Sequence, residues 1–169
     1  MNNTCLYFCE GEDDQKLINA LKYNPERILS GRSKTLNVMQ TLIPKSVLLG
    51  IKPNSCIALV FDTDVVTNLQ FLKTNINNIK KYCHGVRIVC LLQVKNLEDE
   101  LVRCTDVKNI LDITKSKTLS NFKADFKNLS DDKCRRVLDN HKIDVKKLWT
   151  TNAPEVFSFV ERNSHLIKK

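Results

Sequence analysis

The chain has 169 residues, 42% of them hydrophobic, with 27 Lys and Arg against 19 Asp and Glu for a formal charge of +8. That length suits one domain, or one domain with a small appendage, and is ample for a real core. Four Gly, four Pro and 27% charged residues exclude a disordered or low-complexity chain, and no apolar run reaches the roughly 18 residues of a membrane span.

The opening MNNTCLYFCEGEDD lacks the basic start and long apolar stretch of a signal peptide. Seven cysteines (5, 9, 56, 83, 90, 104, 134), mostly in apolar surroundings, predict reduced, buried thiols in a cytoplasmic protein. No CxxC pair occurs, so the spacing argues against structural zinc.

Cys5–Cys9 (CLYFC) reads as a central strand, apolar on both faces. A helix is expected from about Asp13 to Lys22, with Leu17, Ile18 and Leu21 as its apolar stripe and Tyr23-Asn24-Pro25 as its stop. Arg27–Leu29 is expected as a second strand, residues 31–34 as a loop, and Thr35–Ile43 as a helix ended by Pro44. Ser55–Asp62 (SCIALVFD) is the clearest strand. Leu69, Leu72, Ile76, Ile79 and Cys83 mark a helix face, and Val86–Val94 is another buried strand. Asn96 is placed to cap a short helix through Val102, and Val107–Ile113 is expected as a last strand. Beyond Thr114 the segments Leu119–Leu129, Lys133–His141, Val145–Trp149 and Pro154–Arg162 read as helical, with Trp149 in their core.

Strands alternating with helices over residues 5–113 define an α/β fold with a mostly parallel sheet of four or five strands, flanking helices and a C-terminal helical extension. Residues 1–114 form the expected catalytic domain and residues 115–169 a basic extension. The first part holds 14 basic and 12 acidic side chains, the second 13 and 7. A basic surface favours polyanions, nucleic acid foremost.

Nine of the twelve acids of the first part fall in three clusters: Glu10, Glu12, Asp13 and Asp14; Asp62 and Asp64; Glu98, Asp99 and Glu100. Each cluster follows a predicted strand, where parallel sheets place their sites. Glu12 and Asp13 are explained as first-turn acids favoured by a helix dipole. Glu10, Asp62 and Asp64 end apolar strands without that excuse. Carboxylates gathered at one sheet edge repel unless a cation sits among them, and all-oxygen ligands suit Mg²⁺ or Mn²⁺.

LYFCEGEDDQKLI resembles the opening of Toprim domains, an apolar strand ending in Glu-Gly before a helix, and FDTD resembles their Asp-x-Asp signature. The likeness extends over about residues 5–113 and is closest to the OLD-like nuclease branch. It pairs Glu10 with Asp14, and LEDEL (Glu98, Glu100) resembles the later acidic segment; residues 30–34 (SGRSK) resemble a Gly-Lys loop between the acidic motifs. Asp14 stands where Glu is commoner, and the ATPase domain of OLD proteins has no counterpart, so the resemblance implies a small stand-alone form.

It implies a Mg²⁺- or Mn²⁺-dependent nuclease with Glu10, Asp14, Asp62, Asp64, Glu98 and Glu100 as ligands. Glu10, Asp62, Asp64 and Lys34 would be its catalytic residues. Arg32, Lys34, Lys123, Lys127, Arg135 and Arg136 would hold nucleic acid, and a homodimer or a separate ATPase would be a partner. The alternative is an inactive Toprim-like module binding nucleic acid or an ATPase. A haloacid-dehalogenase-like phosphatase is disfavoured, because its nucleophilic Asp lies near the first strand and FDTD ends the third.

Overall fold

The computed structural model describes residues 4–24, 26–64 and 69–169; Pro25, expected to break the first helix, lies outside them. Four strands, β1 (Thr4–Cys9), β2 (Ser30–Thr35), β3 (Cys56–Asp62) and β4 (Arg87–Gln93), form one sheet in the order β2-β1-β3-β4. Every pairing is parallel, with Cys9 beside Thr35 and Val60, and Asp62 beside Gln93. The architecture is α/β and compatible with a Rossmann-like fold.

The apolar strands are buried on both faces because helices cover both. On one side lie α1 (Glu12–Lys22), α4 (Leu97–Cys104), α6 (Leu119–Asn128) and α7 (Asp131–Asn140), whose Leu17, Leu101, Phe122, Phe126 and Leu138 meet Tyr7, Ala58 and Val89. On the other, α2 (Lys45–Leu49) and α3 (Gln70–Tyr82) set Leu48, Leu72 and Ile79 against Phe8, Leu59 and Phe61. Residues beyond 114 thus share the main core, Trp149 included. All seven cysteines are buried free thiols. Among the described residues no helix is long and apolar enough to cross a membrane.

Five expected elements differ. The second strand is not Arg27–Leu29 but the expected loop after it. Ile28 instead bridges Lys168 antiparallel, and Leu29 donates to the Ile167 carbonyl at 2.8 Å. β2 is an edge strand and almost wholly exposed, so it needs none of the apolar alternation that marks an inner strand. The predicted helix over 35–43 is an irregular loop. Asn37 turns back to accept from the Met39 amide, and buried Asn75 of α3 donates to the Val38 and Thr41 carbonyls and accepts from the Ile43 amide. Val38, Met39 and Ile43 are buried by that staple rather than by helical periodicity. Val107–Ile113 is turn leading into a one-turn helix, α5 (Leu111–Thr114), so the sheet has no fifth strand among the described residues. Of the last two expected helices, Val145–Trp149 is turn and Pro154–Arg162 holds only the 3₁₀ segment Glu155–Phe157; a second 3₁₀ segment, Ser164–Leu166, follows. Phe157 nevertheless docks against Phe61, ring centroids 5.9 Å apart.

Gly31 is where β2 needs glycine: its φ is +146°, and a Cβ there would lie 1.9 Å from the Cys5 carbonyl oxygen. Gly31→Ala is therefore expected to destabilise the protein by about 3 kcal/mol, combining backbone strain with displacement of the edge strand, as measured by urea unfolding.

Candidate functional site

In the order β2-β1-β3-β4 the winding of the sheet reverses between β1 and β3, which opens a crevice beyond their carboxyl ends. Glu10 immediately follows β1 and Asp62 ends β3, so the two acids flank that crevice. They are joined across it: Glu10 Oε2 accepts from the Asp62 backbone amide at 3.0 Å, and its Oε1 accepts from Asn37 Nδ2 at 3.0 Å. The loop after Asp62 is fastened to the loop after β4, since the Thr63 and Asp64 amides donate to the Lys95 carbonyl and the Lys95 amide donates to Thr63 Oγ1.

A small pocket of about 130 Å³ opens here, lined by Glu10, Asp13, Asp14, Asp62, Glu98 and Lys123 with Gly11 and Leu97. Asp14 is buried; its carboxylate accepts from the Gly11 amide at 2.8 Å, closing the N-terminus of α1. Glu98, in the first turn of α4, meets Lys123 Nζ of α6 at 3.0 Å. Glu12 sits outside the pocket, paired with Lys127. Asp64 is exposed at the rim, its charge felt by both Glu10 and Asp62.

Burial and mutual repulsion act together on these carboxyls. Burial, then the charges of Asp14, Glu10, Asp64 and Glu98, push Asp62 up to about 8. Asp14 is raised to about 6, chiefly by burial, against the opposing pull of the Gly11 amide and the neighbouring Gln93. Glu10 is also raised by burial, although the Asp62 amide and Asn37 hold it back. Burial raises Asp13 as well, with Lys123 opposing.

The donor set is all oxygen, which fits a hard divalent cation. Asp62 Oδ1 and Asp13 Oδ1 are buried without a hydrogen-bond partner, which leaves lone pairs available for one. Glu10 and Asp14, by contrast, already spend carboxylate oxygens on backbone and side-chain donors. Among the described residues no three acidic, imidazole or thiol groups stand close enough together to share one ion.

Of the residues expected from sequence, Glu10, Asp14, Asp62 and Glu98 converge on one pocket, with Asp64 at its rim. Glu100 does not. It is wholly buried on the opposite side of α4, where it accepts from Arg103 and from the Trp149 amide and ties the C-terminal segment to the helix. Helical periodicity puts Glu98 and Glu100 about 200° apart, so one of the two had to face away. Lys34 and Arg32 lie on β2 along a separate groove instead of beside the acids. Lys123 belongs to the acidic pocket, and Lys127, Arg135 and Arg136 are engaged in ion pairs with Glu12, Asp132 and Asp139.

Sequence reasoning missed Asn37, hidden in a mistaken helix, and gave Asp13 to the helix dipole alone. It also passed over Gln93, fully buried at the end of β4 beside Asp14, with an amide that makes no hydrogen bond of normal geometry. A polar residue closing an otherwise apolar strand was the available signal.

No protein-family model, curated protein or solved structure matches this chain.

Two outcomes follow from these assignments. Because folding raises Asp62 from its ordinary value to about 8, the folded protein binds more protons than the unfolded chain between about pH 4 and pH 8, and stability falls across that window. Asp62→Asn removes this penalty. In EDTA it should match wild type near pH 4 and gain stability progressively to a plateau above pH 8, about 2 kcal/mol once solvent screening is allowed for, as followed by thermal melts. Glu100→Ala should instead cost about 3 kcal/mol or more at neutral pH by stranding Arg103 and the Trp149 amide, as read by urea titration.

Proposed function

We propose that the protein is a divalent-metal-dependent phosphodiesterase acting on nucleic acid, a nuclease of Toprim type close to the OLD-like branch. The observation that carries this reading is the meeting of Glu10, Asp14, Asp62 and Glu98 in one pocket at the switch point of a parallel sheet, with Asp62 Oδ1 buried and unpartnered. The order Glu-Gly, Asp-x-Asp and LEDEL along the chain, which resembles Toprim domains, supports it further. Any pairing with a separate ATPase, or with a second copy, belongs to the same proposal, as does action inside the cell on phage or damaged DNA.

Glu10, Asp14, Asp62, Asp64 and Glu98 would hold Mg²⁺ or Mn²⁺. Such an ion supplies positive charge to the phosphate and a more acidic water. In the ion's presence the carboxyl of Asp62 would lose the proton that burial and repulsion favour at neutral pH. Glu10, fixed by Asn37 and the Asp62 amide, has a defined orientation and a raised affinity for protons, both suited to a general base. Lys123 is the cation lining the pocket, placed to neutralise charge developing on a phosphate. It takes the part the sequence had suggested for Lys34.

A second reading, a non-catalytic module that binds nucleic acid or an ATPase, is favoured by one observation: no three of the described acids converge closely enough to share one ion.

The two readings separate in cleavage assays on labelled single- and double-stranded DNA and RNA with Mg²⁺, Mn²⁺ or EDTA. Wild type is expected to cleave with metal and not with EDTA, and Asp62→Asn to lose at least about 100-fold in rate while retaining nucleic-acid binding. Absence of metal-dependent cleavage in the wild type would favour the binding module.

A further inference from the structure

We infer that the groove beside β2 binds the phosphate backbone of a single nucleic-acid strand and delivers it to the acidic pocket; this rests on the nucleic-acid reading above. Residues 27–61 contain five cations, Arg27, Arg32, Lys34, Lys45 and Lys52, and not one acid. Three of these cations, Arg32, Lys34 and Lys52, line an open groove of about 430 Å³ together with the hydroxyls of Thr4, Ser46 and Ser55. Among the described residues no carboxylate lines it.

What distinguishes this groove from the C-terminal cations expected to hold nucleic acid is that its charge is unspent. Lys123, Lys127, Arg135 and Arg136 each face a carboxylate within 3.0 Å. Among the described residues Arg32, Lys34 and Lys52 have no such partner. Six of the thirteen C-terminal cations face a carboxylate, Lys142 and Lys147 being the other two, so their number overstates that region's field, whereas the three groove cations keep their whole charge for a polyanion.

The geometry suits a linear polyanion. Arg32 and Lys34 alternate along β2 and share a face, about 6.6 Å apart along the strand, of the order of the step between successive phosphates in an extended chain. Ser33 and Thr35 point the other way and are held by Gln15 of α1. As the edge strand, β2 pairs only with β1, and its Gly31 and Ser33 carbonyls already accept from Lys22 and Gln15 of α1, so what it offers a ligand is the side chains of Arg32 and Lys34. The groove runs along the sheet edge from the amino ends of the strands, where Thr4, Gly31, Lys52 and Ser55 stand, to Lys34 near the carboxyl end of β2. β2 runs parallel to β1 and ends at Thr35, and two residues later Asn37 donates to Glu10. Lys34 is thus about 10 Å of extended chain from the residue that touches the acidic pocket. A groove of this size takes one backbone and not a duplex. With no aromatic side chain along it, it reads phosphates and not bases.

The test is fluorescence anisotropy in EDTA with a labelled single strand of about 12 nucleotides, so that binding is measured without turnover. The triple variant Arg32→Ala/Lys34→Ala/Lys52→Ala is compared with Lys115→Ala/Lys117→Ala/Lys133→Ala, which removes the same charge elsewhere; thermal melts check that both fold. The groove variant should bind at least tenfold more weakly, and its dependence of log affinity on log salt should become shallower by about 2, while the control stays near wild type. Equal losses in both variants, unchanged binding by the groove variant, wild-type binding to duplex as tight as to single strand, or no binding by wild type would each overturn the inference. If wild type binds through the groove yet never cleaves with metal, the nuclease reading fails and the groove stands.

Discussion

The hydrogen bond from the Asp62 amide to the Glu10 carboxylate is the constraint on which the site depends. It spans the crevice between β1 and β3, strands that are neighbours in the sheet but 52 residues apart for this pair. A parallel sheet sends every strand's carboxyl end to the same edge, so acids that close successive strands must meet there. One backbone donor cannot neutralise that meeting. The result is a pocket in which Asp14 is raised to about 6 and Asp62, the extreme case, to about 8.

The surrounding structure limits the repulsion without removing it. The Gly11 amide takes one oxygen of Asp14 and Asn37 takes one of Glu10, while Lys123 reaches in from α6 to Glu98. Lys123 comes from the C-terminal segment, whose Phe122 and Phe126 are buried against the main core and fix the height of α6 over the sheet edge. Packing of an apolar helix face therefore decides where the pocket's cation stands. Glu100, two residues beyond Glu98, anchors the same segment from beneath through Arg103 and the Trp149 amide. Neighbouring acids on one short helix thus do separate jobs, one electrostatic at the site and one structural in the core.

Charge on this protein is best understood by what each cation faces. The C-terminal region is rich in Lys and Arg, but much of that charge is turned inward onto Glu12, Glu98, Asp132 and Asp139. Such exposed and half-exposed pairs add little stability, yet they subtract from the field seen by an approaching polyanion. The exposed flank of β2 carries fewer cations and spends none on carboxylates among the described residues.

The sequence by itself determined the inner strands, because residues buried on both faces must be continuously apolar: the expected strands over 5–9, 55–62 and 86–94 match the observed β1, β3 and β4 to within one residue at each end. It determined α1, α3, α4, α6 and α7 through helical periodicity and caps, the Asn96 side chain accepting from the Asp99 amide at 3.0 Å. It also placed Glu10 and Asp62 at strand ends, and hence at one sheet edge. Only the tertiary structure decided that residues 30–35 form the edge strand, since an exposed strand leaves no apolar pattern, and that residues 35–43 do not form a helix, since Asn75 supplies the competing hydrogen bonds from 32 residues or more away. It likewise decided which acid of LEDEL enters the pocket and which cations remain unpaired. Those outcomes turn on contacts between distant segments, which local pattern does not encode.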